Sequence, residues 1–284
     1  MSLELIMPIF AQQAAAPAGN TRNLYIHWRN SDNNTNYLAK FIYNLNTNTI
    51  TRDSNNDYNL GNNDWRATFQ FGNNFWLFEN STFDSIKGFS YNNGNIARVT
   101  AGDLNIAQDS GWRGGFSRGT LGFIFGDDRD ALVAYAYDDQ NGRVSRLSAR
   151  DQGFQSGNHS NIFYYNPDPS NEHTSSVVWL ADRFLNTTLE GYSVTSSRGS
   201  FSMIRNTRYD RVISNDGVFT RFAPSGGFTI QTPAGNFLYL VDFITSPYTL
   251  RAYTIGTSNF ALTRAVSNDL SLGSTGFNGN FLVF

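Results

Sequence analysis

Four carboxylates close apolar runs at comparable places in the chain: Phe75-Trp-Leu-Phe-Glu79, Leu121-Gly-Phe-Ile-Phe-Gly-Asp127, Val177-Val-Trp-Leu-Ala-Asp182 and Phe237-Leu-Tyr-Leu-Val-Asp242. Gathered around one opening, Glu79, Asp127, Asp182 and Asp242 would attract a cation, and their hard oxygens suit calcium. Held apart on a solvated rim they would bind nothing, and the rim is the expectation. A second acidic series carries an apolar residue three positions on: Asp57 and Leu60, Asp103 and Ile106, Asp151 and Phe154, Asp210 and Ile213, Asp269 and Leu272. A ring of five metal sites would need further oxygen ligands at every copy, and the neighbours differ too much. These Asp residues are therefore expected in turns, accepting backbone N–H bonds. No metal or other cofactor is expected.

Sugar recognition is the second chemistry to weigh. A sugar offers an apolar face and a rim of hydroxyls, so it is met by aromatic rings beside Asn, Asp and Arg. Asn73, Asn74, Asp127, Asp128 and Arg129 lie in loops that can supply the polar part. The chain holds 24 Phe, 14 Tyr and 5 Trp, but the first duty of such rings is packing. Trp65 and Trp112 recur at equivalent positions, which points to a repeated packing role.

Catalysis finds less support. His27-Trp-Arg-Asn-Ser-Asp-Asn33 is similar to the Trp-x-Asn-Asp-Pro-Asn stretch of invertase-like glycoside hydrolases, with Asp32 in place of the nucleophile. Arg29 and Ser31 interrupt that pattern, no Pro follows, and the family's Glu-Cys acid motif has no counterpart in a chain without Cys. Such hydrolases need two opposed carboxylates at the reacting bond. The three histidines, His27, His159 and His173, have no metal-ligand spacing. No Ser-centred elbow or phosphate-cradling Gly loop is present. The expectation is a protein that is not an enzyme.

The elements that would position these residues are strands. The second-series Asp recur at steps of 46, 48, 59 and 59 residues, the mark of a repeat whose units bury their apolar faces on one another. Further landmarks keep phase: Trp65-Arg-Ala-Thr-Phe69, Trp112-Arg-Gly-Gly-Phe116, Ile162-Phe-Tyr-Tyr165, Val218-Phe-Thr-Arg-Phe222 and Gly276-Phe277. The runs are short, rich in β-branched and aromatic residues, and separated by turn residues such as Asn92-Asn-Gly94, Asp138-Asp-Gln-Asn-Gly142 and Pro224-Ser-Gly-Gly227. Each unit reads as four strands, and four-stranded units arranged radially make an all-β propeller. Five Asp-marked units predict five blades. The apolar second strand recurs a sixth time, as Phe281-Leu-Val-Phe284, after a first copy at Leu24-Tyr-Ile-His-Trp28, so one of these two is surplus to a five-blade ring. The last strand then either closes the ring on the first unit, belongs to a shortened sixth blade, or pairs with another subunit.

Composition sets the surroundings. Charged residues are 15% of the chain and the net charge is −2, so no basic footprint for nucleic acid is visible. Residues 1–23 form a separate segment, and residues 24–284 the propeller domain. The segment has no basic start for a secretory signal, and its apolar run is too short to span a bilayer. Leu3, Leu5, Ile6, Met7, Ile9 and Phe10 are candidates for an assembly arm that docks on a partner, with a free tail and an atypical leader as alternatives.

Runs such as Arg98-Val-Thr-Ala-Gly-Asp-Leu-Asn-Ile-Ala-Gln-Asp-Ser-Gly-Trp-Arg-Gly-Gly-Phe116 followed by Leu121-Gly-Phe-Ile-Phe125 resemble the propeller repeats of bacterial surface proteins and phage virion or tail proteins. The likeness covers about residues 20–284, most closely 57–151. It implies a structural or adhesive role and carries no catalytic residues. The expected protein is thus a non-enzymatic structural or receptor-contacting component of an extracellular or virion assembly. Its partners would be other protein subunits in a homo-oligomer or larger assembly, with surface glycan as a further ligand. The alternatives are a multivalent lectin and a five-bladed glycoside hydrolase.

Overall fold

In the computed structural model the described residues are 19–29, 35–63, 65–79, 85–106, 112–126, 131–153, 159–168, 171, 174–182, 188–197, 200–216, 219, 224, 226–242, 248–273 and 277–284. They form strands joined by turns and short 3-10 segments, with no α-helix among them. Five antiparallel sheets follow one another, each a blade of four main strands, and in four of them a further short strand pairs with the third. The chain is a five-bladed β-propeller.

Blade 2 shows the pattern. Its strands Trp65–Phe71, Asn74–Glu79, Ser85–Asn92 and Asn95–Asn105 run from the inside outwards. Two-residue turns join the first strand to the second and the third to the outer one, and the latter turn uses Asn93 and Gly94, both with positive φ, as the two-residue hairpin requires. Blade 3 is Trp112–Arg118, Leu121–Gly126, Ala131–Asp138 and Arg143–Arg146. Blade 4 is His159–Tyr165, Ser176–Asp182, Thr188–Ser197 and Ser200–Arg205. Blade 5 is Gly227–Thr232, Gly235–Asp242, Tyr248–Ile255 and Leu262–Arg264.

Blade 1 is assembled from both ends of the chain. Thr21–Arg29, Asn36–Asn44 and Thr49–Arg52 supply its second, third and outer strands, and Phe277–Val283 supplies the inner one. Phe281-Leu-Val-Phe284 is therefore not another copy of the apolar second strand; it belongs to the inner strand that closes the ring. Burial on both sides makes an inner strand as apolar as a second strand, so composition alone does not separate them. Val218–Phe222 is likewise not the inner strand of blade 5. That place is taken by Gly227–Thr232, and of 218–222 only Phe219 is described, outside any strand.

Side chains from facing blades interlock in five apolar seams. Between blades 1 and 2 lie Tyr25, Leu38, Phe75, Phe89 and Leu282. Phe69, Trp76, Phe78, Ile124 and Tyr135 fill the seam between blades 2 and 3, and Phe116, Phe123, Leu180 and Tyr192 that between 3 and 4. Trp179, Leu240, Tyr253 and Phe260 join blades 4 and 5. Leu24, Phe41, Tyr43, Tyr239 and Phe281 join 5 to 1.

Polar side chains also lace the inner strands together. The Gln70 amide donates to Val283 O at 2.8 Å and accepts from Val283 N at 3.2 Å, tying the closing strand to blade 2. Ser117 donates to Gln70 O, and Thr229 to Tyr164 O. Arg118, 5% exposed, donates to Tyr164 Oη, Ser176 Oγ and Thr174 O across blades 3 and 4.

Candidate functional site at the mouth of the ring

The recurrent Asp residues are structural. In each blade the third strand brings one backbone N–H, that of Lys40, Gly88, Ala134, Gly191 or Ala252, to the recurrent Asp. Asp57, Asp103, Asp151, Asp210 and Asp269 accept from those five N–H groups at 2.9, 3.2, 3.0, 2.9 and 2.9 Å. The matching carbonyls accept from Arg52, Arg98, Arg146, Arg205 and Arg264 at 2.9, 2.7, 3.2, 2.9 and 3.0 Å. Each Arg also pairs with its Asp and lies over the ring of Phe41, Phe89, Tyr135, Tyr192 or Tyr253. The Asp satisfies a backbone N–H that its loss would leave unpaired, and the Arg adds a bond to a carbonyl that in four blades also accepts from a backbone N–H. The Arg partner escaped the reading of the sequence, although an Arg stands five residues before every Asp of the series.

The other acids stand where second strands end. By register with the third strand, Trp28, Glu79, Gly126, Asp182 and Asp242 occupy the same position. Asp127 therefore falls one residue beyond the aligned place and lies outside the described residues. Glu79 accepts from Ser85 Oγ at 2.7 Å, with Lys87 Nζ at 3.9 Å. Asp242, 2% exposed, pairs with Arg251 at 2.8 Å, and Arg251 also reaches Asp269. These two acids are compensated within their own blade. Among the described residues no three His, Cys, Asp or Glu side chains come together to hold a metal ion.

Blade 4 has its own polar group at this end. His159 Nε2 lies 3.3 Å from Glu190 Oε2, which also accepts from Tyr192 Oη at 3.3 Å and lies 3.6 Å from Arg205 Nε. Burial, and then the Glu190 charge, push the Tyr192 phenol up to about 12.

A repeated irregularity of the inner strands marks this end. Trp65 pairs with Glu79 and Ala67 with Phe78, so Arg66 is an extra residue; the same one-residue bulge separates Trp112 from Gly114 and His159 from Asn161. Such bulges turn a strand and redirect its side chains. In blade 1, Trp28 and Tyr37 stack with centroids 5.3 Å apart, and both are partly exposed. On the other side of the same blade His27 Nε2 lies 2.9 Å from Asn36 Oδ1, and the Asn36 amide donates to Asn63 O at 2.7 Å.

Of the sequence-derived ligand residues, Asn73 and Asn74 are described and stand away from this end. Asn73 and Asn74 form the turn that opens the second strand of blade 2, at the far end from Glu79, and the Asn74 amide donates to Tyr137 Oη at 2.9 Å. Asp128 and Arg129 lie outside the described residues, as do Asp32 and the arm residues Leu3, Leu5, Ile6, Met7, Ile9 and Phe10. No described helix is long and apolar enough to cross a membrane.

No family model and no curated protein matches the sequence. Solved structures do match its shape. A Bacteroides uniformis protein named as a 6-phosphogluconolactonase is 12% identical, with a TM-score of 0.49, over 90% of this chain and 72% of that one. The periplasmic gluconolactonase of Pseudomonas aeruginosa is 7% identical, with a TM-score of 0.48, over 93% and 99%. A lectin solved with alpha-methyl fucoside is 8% identical, with a TM-score of 0.43, over 90% and 84%. These likenesses show the fold. They also overturn the expectation of a non-enzymatic structural or receptor-contacting component, since proteins named as lactonases share the architecture. Regular blades do not exclude chemistry: the repeat governs packing positions, while sites are built on strand ends and loops.

Proposed function

We propose that the chain binds a carbohydrate-type ligand, a sugar or a sugar lactone, at the end of the ring where the second strands finish. The carrying observation is the stacked, partly exposed pair Trp28 and Tyr37 at that end of blade 1. The rings stack face over face at 28°, and an outer ring face offers a flat apolar surface to the C–H face of a pyranose. Ligand sites combine such surfaces with a few placed polar groups, and at this end Glu79, Lys87, His27 and Asn36 stand on the neighbouring seam. Solved propellers of similar shape bear names that refer to gluconolactone and to alpha-methyl fucoside, both sugar-derived, but the reading rests on the aromatic pair.

Calorimetric titration of the full chain with methyl pyranosides and with glucono-lactone tests it, with lactone turnover followed in the same samples. Binding is expected, and Trp28→Ala should weaken it at least about tenfold through lost stacking and apolar contact. Identical binding by Trp28→Ala, or no binding of any of these probes, would overturn the assignment. Turnover in the lactone samples would establish an enzyme.

A further inference from the structure

Trp28 stands across from Tyr37 on the second and third strands of blade 1. In blades 2 and 5 the same pair is Glu79 with Ser85 and Asp242 with Thr249, and continuing the register gives Gly126 with Ala131 and Asp182 with Thr188. One residue further towards the mouth, Tyr248 opens the third strand of blade 5, at a place where the sequence of blades 1 to 4 has Asn36, Asp84, Asp130 and Thr187. Packing positions recur in every copy of a repeat. Aromatic residues confined to one copy at three such places call for a reason outside the repeat.

All three rings belong to one seam. Side chains alternate between the faces of a strand, so Trp28 shares the face of Leu24 and Ile26, Tyr37 that of Ala39 and Phe41, and Tyr248 that of Leu250 and Ala252, which all pack between blades 5 and 1. Each of the three is partly exposed, so solvent reaches the open end of this seam. The charges of the two blades are matched within them: Arg52 with Asp57, Arg251 with Asp242 and Arg264 with Asp269. By the same alternation Asp242 and Arg251 stand on the other face of blade 5, with Leu240 and Tyr253 of the seam to blade 4. An anionic sugar would find no uncommitted cation on the two faces among the described residues.

We propose that the mouth of the seam between blades 5 and 1 is a single aromatic cleft for one neutral sugar ring, with Tyr248 as the wall across the seam from Trp28 and Tyr37. A pyranose seated there buries C–H groups against aromatic rings and keeps its hydroxyls at the rim, where water and the tyrosine hydroxyls meet them. A phosphate carried into the same place loses hydration without gaining a counter-charge. The cleft rests on the sugar-binding reading above and adds to it a second wall, a count of one site per chain and a preference for uncharged sugars.

Calorimetry on the full chain with methyl α-fucoside, glucose and glucose 6-phosphate tests it, for wild type, Trp28→Ala, Tyr248→Ala and Tyr248→Phe. One site per chain is expected, with glucose 6-phosphate at least about tenfold weaker than glucose. Tyr248→Ala should bind about threefold to tenfold more weakly, the effect of one lost aromatic contact, and Tyr248→Phe within about twofold of wild type. The site count and the phosphate comparison are read on the wild-type chain, so they decide the matter even where Tyr248→Ala fails to fold. Binding that needs Trp28 while Tyr248→Ala keeps wild-type affinity would overturn the cleft and leave the sugar reading standing. More than one site per chain, or glucose 6-phosphate bound as tightly as glucose, would do the same. No binding of any of the three probes would overturn both.

Discussion

Asp269 accepts from the Ala252 N–H, from Arg264 and from Arg251, and its carboxyl lies below the ordinary carboxylate range. Burial by itself would raise it; the Arg264 pair, the backbone bond and Arg251 outweigh that. A carboxyl lowered by folding contributes stability above its unfolded pKa and loses it as pH falls through the folded value. Urea unfolding from about pH 7 down to about pH 2 should therefore show wild-type stability declining on the acid side. Asp269→Asn should decline less steeply, having lost that linkage already near neutrality. Asp269→Ala should cost about 2–3 kcal/mol at neutral pH, because it also strands the Ala252 N–H and two guanidinium groups. Equal acid slopes for wild type and Asp269→Asn would refute the linkage.

At the level of the strand, the inner ring is spaced by backbone rather than by side chains. A Cβ on Gly115 would lie 2.7 Å from both Phe123 O and Thr68 O, two backbone atoms of neighbouring strands. Neither carbonyl can swing away without breaking its sheet. Gly115→Ala should cost about 1–3 kcal/mol by overpacking, read as a lower urea midpoint with an unchanged slope. A midpoint equal to wild type would mean that the inner strands have room to part. The same logic explains Gly88, where a Cβ would meet Val99 O at 2.9 Å and the Trp76 indole nitrogen at 3.2 Å. The Trp76 indole crosses Gly88 to donate to Gly102 O at 3.2 Å, so a large ring on the second strand is accommodated by a missing side chain on the third.

For the whole molecule, closure depends on one strand held by two neighbours. Phe277–Val283 pairs with Thr21–Arg29, Val283 is gripped by Gln70, and Phe284 stacks on Tyr91 at 4.1 Å. Removing residues 277–284 would open the seams at Phe41 and Tyr25 together, on both sides of blade 1. The truncated chain should lose its single cooperative urea transition and bind a dye for exposed apolar surface. A sharp transition within about 1 kcal/mol of wild type would show that the ring closes without the strand, since one or two kcal/mol is already a sizeable part of a domain's stability.

Local chemistry made the strands, the turns, the repeat and its count of five readable from the residues themselves. Asn93-Gly94 requires a tight hairpin, and an Asp at a regular interval marks a recurring turn. Even the Arg partners were visible as a spacing, because a repeated need for the same backbone bonds leaves the same residues in every copy. The tertiary structure alone decided which blade the last strand completes, since an apolar run buried on both faces looks alike in an inner and a second strand. It also decided that Glu79 and Asp242 are matched by Lys87 and Arg251, and that Asn73 and Asn74 stand at the far end of a strand from Glu79. Pairings of that kind depend on register and on which blade comes next in space, and neither is written in the neighbourhood of a single residue.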